Sequence, residues 1–193
     1  MLFKKLFGRS APERDAAEVL YRKAVEKARD PRFYREFGVA DTVDGRFDMI
    51  VIYVMLLMRR LRDAQEPGRK VAQELFDIMF QDMDRSLREL GVGDLSVGKN
   101  IKKMAKAFYG RAAAYEAGLD AAMDSNEAPL IAALEQAIYR NAPGADAIAA
   151  MAGYLKCADQ HLQAQDPICV AAGDVDLESD AATLSRNTNH DGR

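Results

Sequence analysis

Five cations dominate the chemistry this chain could do. Between Leu95 and Tyr115 stand Lys99, Lys102, Lys103, Lys106 and Arg111, with no acidic residue among them. Interleaved with them, Val97, Ile101, Met104, Phe108, Ala112, Tyr115 and Leu119 step by fours and threes, the spacing of one buried helical face. The other side of that helix is therefore a cationic ridge. Such a ridge is a solvated face, a dock for RNA or anionic lipid, or a recognition surface for an acidic partner protein. Tyr109 and Arg111, within the run FYGR, favour something more specific than solvation. Gly110 in mid-helix costs about 1 kcal/mol relative to alanine and leaves room for another helix or a partner to come close.

Other residue clusters carry weaker chemical signals. Gly93–Asn100, GDLSVGKN, has the GxxxxGK of a phosphate-binding loop, but Asn100 stands where Ser or Thr would hold Mg²⁺. The run before it, RSLRELG, reads as a helix end and not as a strand, so a helix–turn–helix connection is the better reading. Asp77, Asp82 and Asp84 suggest a metal site of the kind used by helical isoprenoid enzymes. Asp82 and Asp84, two apart, point in different directions on a helix, and Asp120 and Asp124 are a thin substitute for a second aspartate-rich helix. Pairing with Arg85, Arg88 or neighbouring basic residues is the expected fate of these carboxylates. Cys157 and His161 are four apart, yet no further Cys or His lies at ligand spacing, so no metal or other cofactor is expected. Met49, Met55, Met58, Met79 and Met83 fall on the two most apolar helical patterns. For most of them core filling is the favoured reading, with an adaptable surface for apolar clients as the other.

Bulk properties bound the rest. A chain of 193 residues, 49% hydrophobic and 30% charged, is large enough for one domain with a real core. Its net charge of −3 speaks against DNA as a partner. Cys157 and Cys169 are too few for a disulfide framework, which suits a reducing compartment. The longest apolar run, Met49–Met58, is about half of what a membrane span needs. At the start, Leu2, Phe3, Leu6 and Phe7 lie on one side of a short helix with Lys4 and Lys5 elsewhere. This segment, residues 1–9, is a candidate foot on an anionic membrane surface.

The elements that must position these groups are all helical. Ser10, Pro12 and Glu13 open a helix running to about Arg29. Asp30-Pro31 starts a short one closed by Gly38. Asp41–Gly45 reads as a turn, and a helix apolar nearly all round follows over about Arg46–Ala64, the buried centre of a bundle. Glu66-Pro67-Gly68 is expected to break the chain before a fourth helix, about Lys70–Leu90. Asp94 or Ser96 caps the fifth, Ser125 or Asn126 the sixth (about Glu127–Asn141), and the seventh covers about Ala145–Gln165. Residues 10–166 are thus predicted as an all-α bundle of about six to seven helices, and residues 167–193 as a disordered tail.

Three blocks carry a family resemblance: DTVDGRFDMIVIYVMLLMRRLR (Asp41–Arg62), LFDIMFQDMDRSLRELGVGDLSVGKNIKKMAKAFYGRAAAYEAGL (Leu75–Leu119) and the preceding FYREFGVAD. They resemble the ubiquinol–cytochrome c chaperone family, closely over Phe33–Leu119. The resemblance implies a non-enzymatic assembly factor for the cytochrome bc1 complex that meets cytochrome b or its nascent chain, with the ribosome and a small accessory assembly protein as further partners. Mitochondrial members generally carry a longer amino-terminal region with targeting and anchoring sequence. This chain begins almost at the domain, so a bacterial-type member is expected, in the cytoplasm or peripheral on the inner face of the membrane. The contact residues expected from charge and exposure are Asp41, Asp44, Arg46, Phe47, Arg60, Asp82, Asp84, Arg88, Asp94, Lys99, Lys103, Lys106, Tyr109, Arg111 and Tyr115. A helical Mg-dependent isoprenoid enzyme and an RNA- or ribosome-docking module without a specific membrane-protein client are the alternatives.

Overall fold

A computed structural model describes residues 12–139 and 144–178, with backbone only at Asp94 and Leu95. The expected amphipathic foot and the far part of the expected tail lie outside these residues. Helix α1 (Pro12–Ala28) buries Ala16, Ala17, Leu20, Tyr21, Ala24 and Ala28, a stripe of mostly small side chains that lets it lie close against α3 and α4. The one-turn helix α2 (Pro31–Arg35) is capped by Asp30, whose carboxylate accepts from the Arg32 amide at 3.0 Å. Gly38 then takes a left-handed φ of 68° and closes the turn, as its position after the helix requires.

Helix α3 (Val43–Leu61) is the axis of the bundle. Its Met49, its unbroken run Val51–Leu57 and its Leu61 are all buried, and α1, α4, α5 and α7 pack around it. The helix starts three residues earlier than its apolar pattern suggests. Thr42 caps it, accepting from the Gly45 amide at 3.1 Å, so the expected Asp41–Gly45 turn is already half helical. One face closes on an aromatic knot: Phe33 and Phe37 pack against Tyr154, and the Tyr53 and Tyr154 hydroxyls meet at 2.7 Å. Burial and this contact hold the Tyr53 phenol well above its usual range.

Pro67 and Gly68 do not separate α3 from α4. A 3-10 turn, Arg62–Ala64, leads into α4 (Gln65–Glu89), which begins with Gln65 in the left-handed region at φ 56°. Pro67 falls in the first turn, where its missing N–H is not needed. The sequence signals a break, and the structure makes it two residues earlier. Helix α5 (Asp94–Met123) begins at Gly93 without a side-chain cap, and α6 (Ala128–Ala137) begins at Glu127, also uncapped, after Ser125 turns the chain at φ 66°. Helix α7 (Ala145–Gln163) returns along α3, with Arg59 bridging Asp120 on α5 and Asp159 on α7. Among the described residues there is no strand.

Residues 167–178 are not a tail. Pro167–Ala171 forms α8 with Val170 buried, and Val175 and Leu177 are buried beyond it. Tertiary bonds hold this strap: Lys23 donates to the Val175 carbonyl at 2.6 Å, Lys27 pairs with Glu178 at 2.7 Å, and the Gln165 amide both donates to and accepts from the Asp176 backbone. Such isolated apolar residues have no local periodicity, which is why the sequence pattern misses them. Changing Val175 and Leu177 together to Asp is expected to cost about 3–6 kcal/mol, the scale of two lost apolar burials. Urea denaturation checks this, and an unchanged midpoint would show the strap to be loosely held.

Candidate functional site

Three helices converge on one apolar groove. From the first turns of α3 come Val43, Phe47 and Val51; from the end of α4 come Met83, Leu87 and Leu90; from α5 come Met104, Ala107 and Phe108. The groove encloses about 360 Å³. Its outer lip is unusually apolar for a surface, since Val43 is 68% and Leu90 65% exposed. Two other hollows are larger, about 480 and 540 Å³. They are more open, however, and lined mostly by charged side chains of α1 and the strap, several already paired with one another.

The groove's polar groups are unevenly placed. Lys103 lines the α5 side, and Lys99, Lys102 and Lys106 are exposed on the same helix. Among the described residues these four lysines make no hydrogen bond or ion pair. Arg111, by contrast, pairs with Asp48, which is 4% exposed at the floor. This pair pins α5 to α3 and leaves the guanidinium committed inside the molecule. Asp44 lies at the α3 edge. Just outside, Asp41 accepts from Arg46 at 2.7 Å, and Arg46 lies over the Tyr34 ring. The hydrogen bond from Arg46 holds the Asp41 carboxyl below its usual range.

Of the residues expected from sequence, Asp44, Phe47, Lys103 and Arg111 come together in this groove, and Lys99 and Lys106 extend its rim. Tyr109 stands 60% exposed beyond the rim, stacked on Phe76 at 5.4 Å. Asp84 pairs with Arg88 one turn on, at 2.6 Å, as expected. Asp82 faces α1 instead and accepts from the Tyr21 hydroxyl at 2.8 Å, which together with burial drives that phenol far up. The Asp77 carboxylate is met by Gln73. The three aspartates thus look in three directions, and among the described residues no three or more Asp, Glu, His or Cys side chains cluster as a metal site would need. At Asp94 only the backbone is described, as the first residue of α5.

Two expected contact residues are corrected. Tyr115 is 1% exposed, a core residue of α5. Arg60 is buried and donates to the Gln165 carbonyl and to Asp63, tying α3 to the chain beyond α7. Tyr115 falls on the apolar stripe of its own helix, a sign of burial already present in the sequence, whereas Arg60 carries no such sign and only packing buries it. The methionine surface is likewise internal: Met49, Met55 and Met79 are fully buried, Met83 nearly so, and Met58 packs against the core.

Sequence reasoning missed Asp48, Val43, Leu87, Leu90 and Met104. Asp48 had a signal, because a carboxylate directly before the apolar run Met49–Met58 demands a charged partner when that helix is buried. The glycine expected to admit a close neighbour, Gly110, stands open, with nothing within 4 Å of where a Cβ would be. The close approach is made at Gly118, where a Cβ would sit 2.7 Å from Leu130 Cα on α6.

Comparisons with known proteins follow this geometry. The family model described as ubiquinol-cytochrome C chaperone matches residues 35–176, well over half of the chain. Two curated proteins called ubiquinol-cytochrome c reductase complex assembly factor 1, from Mus musculus and Homo sapiens, are each 24% identical over 104 residues. The match covers 54% of this chain and 35% of each relative, so the chain spans about a third of their length. A solved structure, the crystal structure of the Cbp3 homolog from Brucella abortus, is 34% identical with a TM-score of 0.76, covering 86% of this chain and 92% of that one. The matched stretch takes in all three walls of the groove.

Proposed function

This chain belongs to the ubiquinol–cytochrome c chaperone family, and from that premise we propose that it is an assembly chaperone of the bc1 complex whose groove holds newly made cytochrome b. The observation that carries the reading is the exposed apolar lip of Val43 and Leu90 beside a helix edge of four lysines without partners among the described residues. An apolar surface of this kind is normally covered by something, and the cations give that contact direction and speed of encounter. The mechanism needs no catalytic group. Cytochrome b is a bundle of apolar helices with charged loops, and it must be kept from aggregating before haem and its partner subunits arrive. The groove shelters an apolar segment, while Lys99, Lys103 and Lys106 attract acidic stretches. Arg111 and Asp48 keep the walls in register. Among the described residues no helix is long and apolar enough to cross a membrane, so contact with the bilayer is left to the expected foot at Leu2–Phe7, outside the described residues.

Affinity purification from native membranes, with mass spectrometry and a haem spectrum, tests the reading. Cytochrome b with few mature bc1 subunits is the expected catch, and the haem signal places the step before or after cofactor insertion. Lys103→Glu with Lys106→Glu is expected to reduce that catch at least tenfold without unfolding the protein, since both side chains are exposed and surface substitutions of this kind are usually within about 0.5 kcal/mol. Undiminished recovery by the double variant would remove the lysines from the mechanism. Ribosomes without cytochrome b, released steeply by salt, would favour RNA docking instead.

A further inference from the structure

The groove is too small and too asymmetric for its occupant to be a whole membrane-spanning helix. A cavity of about 150 Å³ takes a benzene ring, so the groove's volume of about 360 Å³ admits roughly two large side chains and no more. Its α5 wall runs from Asn100 to Arg111, about 16 Å at 1.5 Å per residue. That is the length of about three turns of a partner helix laid alongside.

The walls also dictate the occupant's backbone. Among the described residues, and apart from the charged ones, only Ser86 and Asn100 bring hydrogen-bonding side chains to the groove. An extended peptide would lay unpaired N–H and C=O groups against these apolar walls, at a cost that opposes binding. Among the described residues there is no strand edge for it to join. A helix satisfies its own backbone and presents only side chains.

Charge fixes the occupant's edge. Lys99, Lys103 and Lys106 follow one another along the α5 rim, about one turn apart, with no acidic residue on that helix between Asp94 at its start and Glu116. Arg111 on the floor is already neutralised by Asp48, so the rim lysines carry the attraction. A helix apolar all round would strip water from those ammonium groups and return nothing.

We infer that the groove recognises a short amphipathic helix of about three turns, with two apolar anchors one turn apart and carboxylates along the edge that faces α5. This rests on the client-holding reading of the groove and narrows it to a segment outside the hydrocarbon-spanning parts of a client. Helix-in-groove docking of this kind reads anchors at i, i+3, i+4 and i+7.

The test uses the full chain and fluorescein-labelled 14-residue peptides by anisotropy. One peptide carries a Leu and a Phe anchor at i and i+4 with glutamates on the flanks. Matched peptides carry glutamine or lysine flanks, and a fourth is apolar all round. The glutamate peptide should bind about tenfold more tightly than the glutamine one, since each exposed ion pair adds little by itself, and the lysine peptide should not bind. Leu90→Asp should abolish binding, and Leu90 is exposed enough for the variant to fold. Reversing Lys99, Lys103 and Lys106 to Glu should invert the order of the glutamate and lysine peptides. Binding that survives Leu90→Asp, or that favours the all-apolar peptide, overturns the inference. So does capture of anionic phosphatidylglycerol vesicles or of an oligoribonucleotide by the lysines with no peptide bound. If these fail while cytochrome b still co-purifies with the chain, the inference falls and the chaperone reading stands. If cytochrome b is also lost from the purification, both fall.

Discussion

Arg111→Met is expected to lower the unfolding free energy by about 2–3 kcal/mol, a large loss for a residue that lines a surface groove. The reason lies below it. Asp48 is 4% exposed, and the guanidinium of Arg111 lies against its carboxylate. Removing one partner of a fully buried pair costs about 3–5 kcal/mol; the Arg111 side chain keeps 23% exposure, so water softens the penalty here. For a chain of this length the loss corresponds to a drop of about 4–12 °C in Tm. Asp48→Asn combined with Arg111→Met should recover part of it, because the buried group that faced the lost guanidinium is then neutral, and a double-mutant cycle should show coupling above about 1 kcal/mol. A single variant within about 0.5 kcal/mol of the parent would mean that the pair does not hold α3 to α5. The consequence for function is direct. A client-binding defect in an Arg111 variant reports a loosened groove, whereas Lys103 and Lys106 report the surface itself.

Gly68→Ala should destabilise by about 2–4 kcal/mol, although alanine is the better helix former by about 1 kcal/mol. The added methyl would lie 1.8 Å from the Leu61 carbonyl oxygen and 2.8 Å from Ala64 Cβ, where the end of α3 turns directly into α4. The Leu61 atoms are backbone and the Ala64 methyl has no rotamer to change, so nothing can swing away. Gly110→Ala is the control of opposite sign. With nothing within 4 Å it should stabilise by up to about 1 kcal/mol. Chemical denaturation of the two variants side by side checks both. Equal signs would show that propensity and not packing governs these positions. If Gly110→Ala also weakens client capture while raising stability, the open space beside it belongs to the partner.

The fold class was legible because helix formation here is a local matter. Apolar steps of three and four mark α1, α3, α4, α5 and α7, and Asp30-Pro31, Gly38 and Asp166-Pro167 mark ends that the structure keeps. Pairings within one helix were legible for the same reason, as with Asp84 and Arg88. The groove was half legible. The lysines of α5 could be placed on one face by counting, but the lip that faces them comes from Val43 and Leu90, distant in sequence and ordinary in composition.

The sequence by itself thus determined an all-α bundle, a family and a cationic helix edge, since each rests on spacing or on long, unusual blocks of residues. Only the tertiary structure decided which apolar faces are inside. It took Arg60 and the methionines into the core, since a helical stripe looks the same whether solvent or another helix lies against it. It also turned the start of the expected tail into a strap, through bonds from Lys23, Lys27 and Gln165 that cross most of the chain or fold back on its end. And it committed Arg111 to Asp48, 63 positions away, because burying a carboxylate in an apolar helix is tolerable only where the fold brings a cation to it.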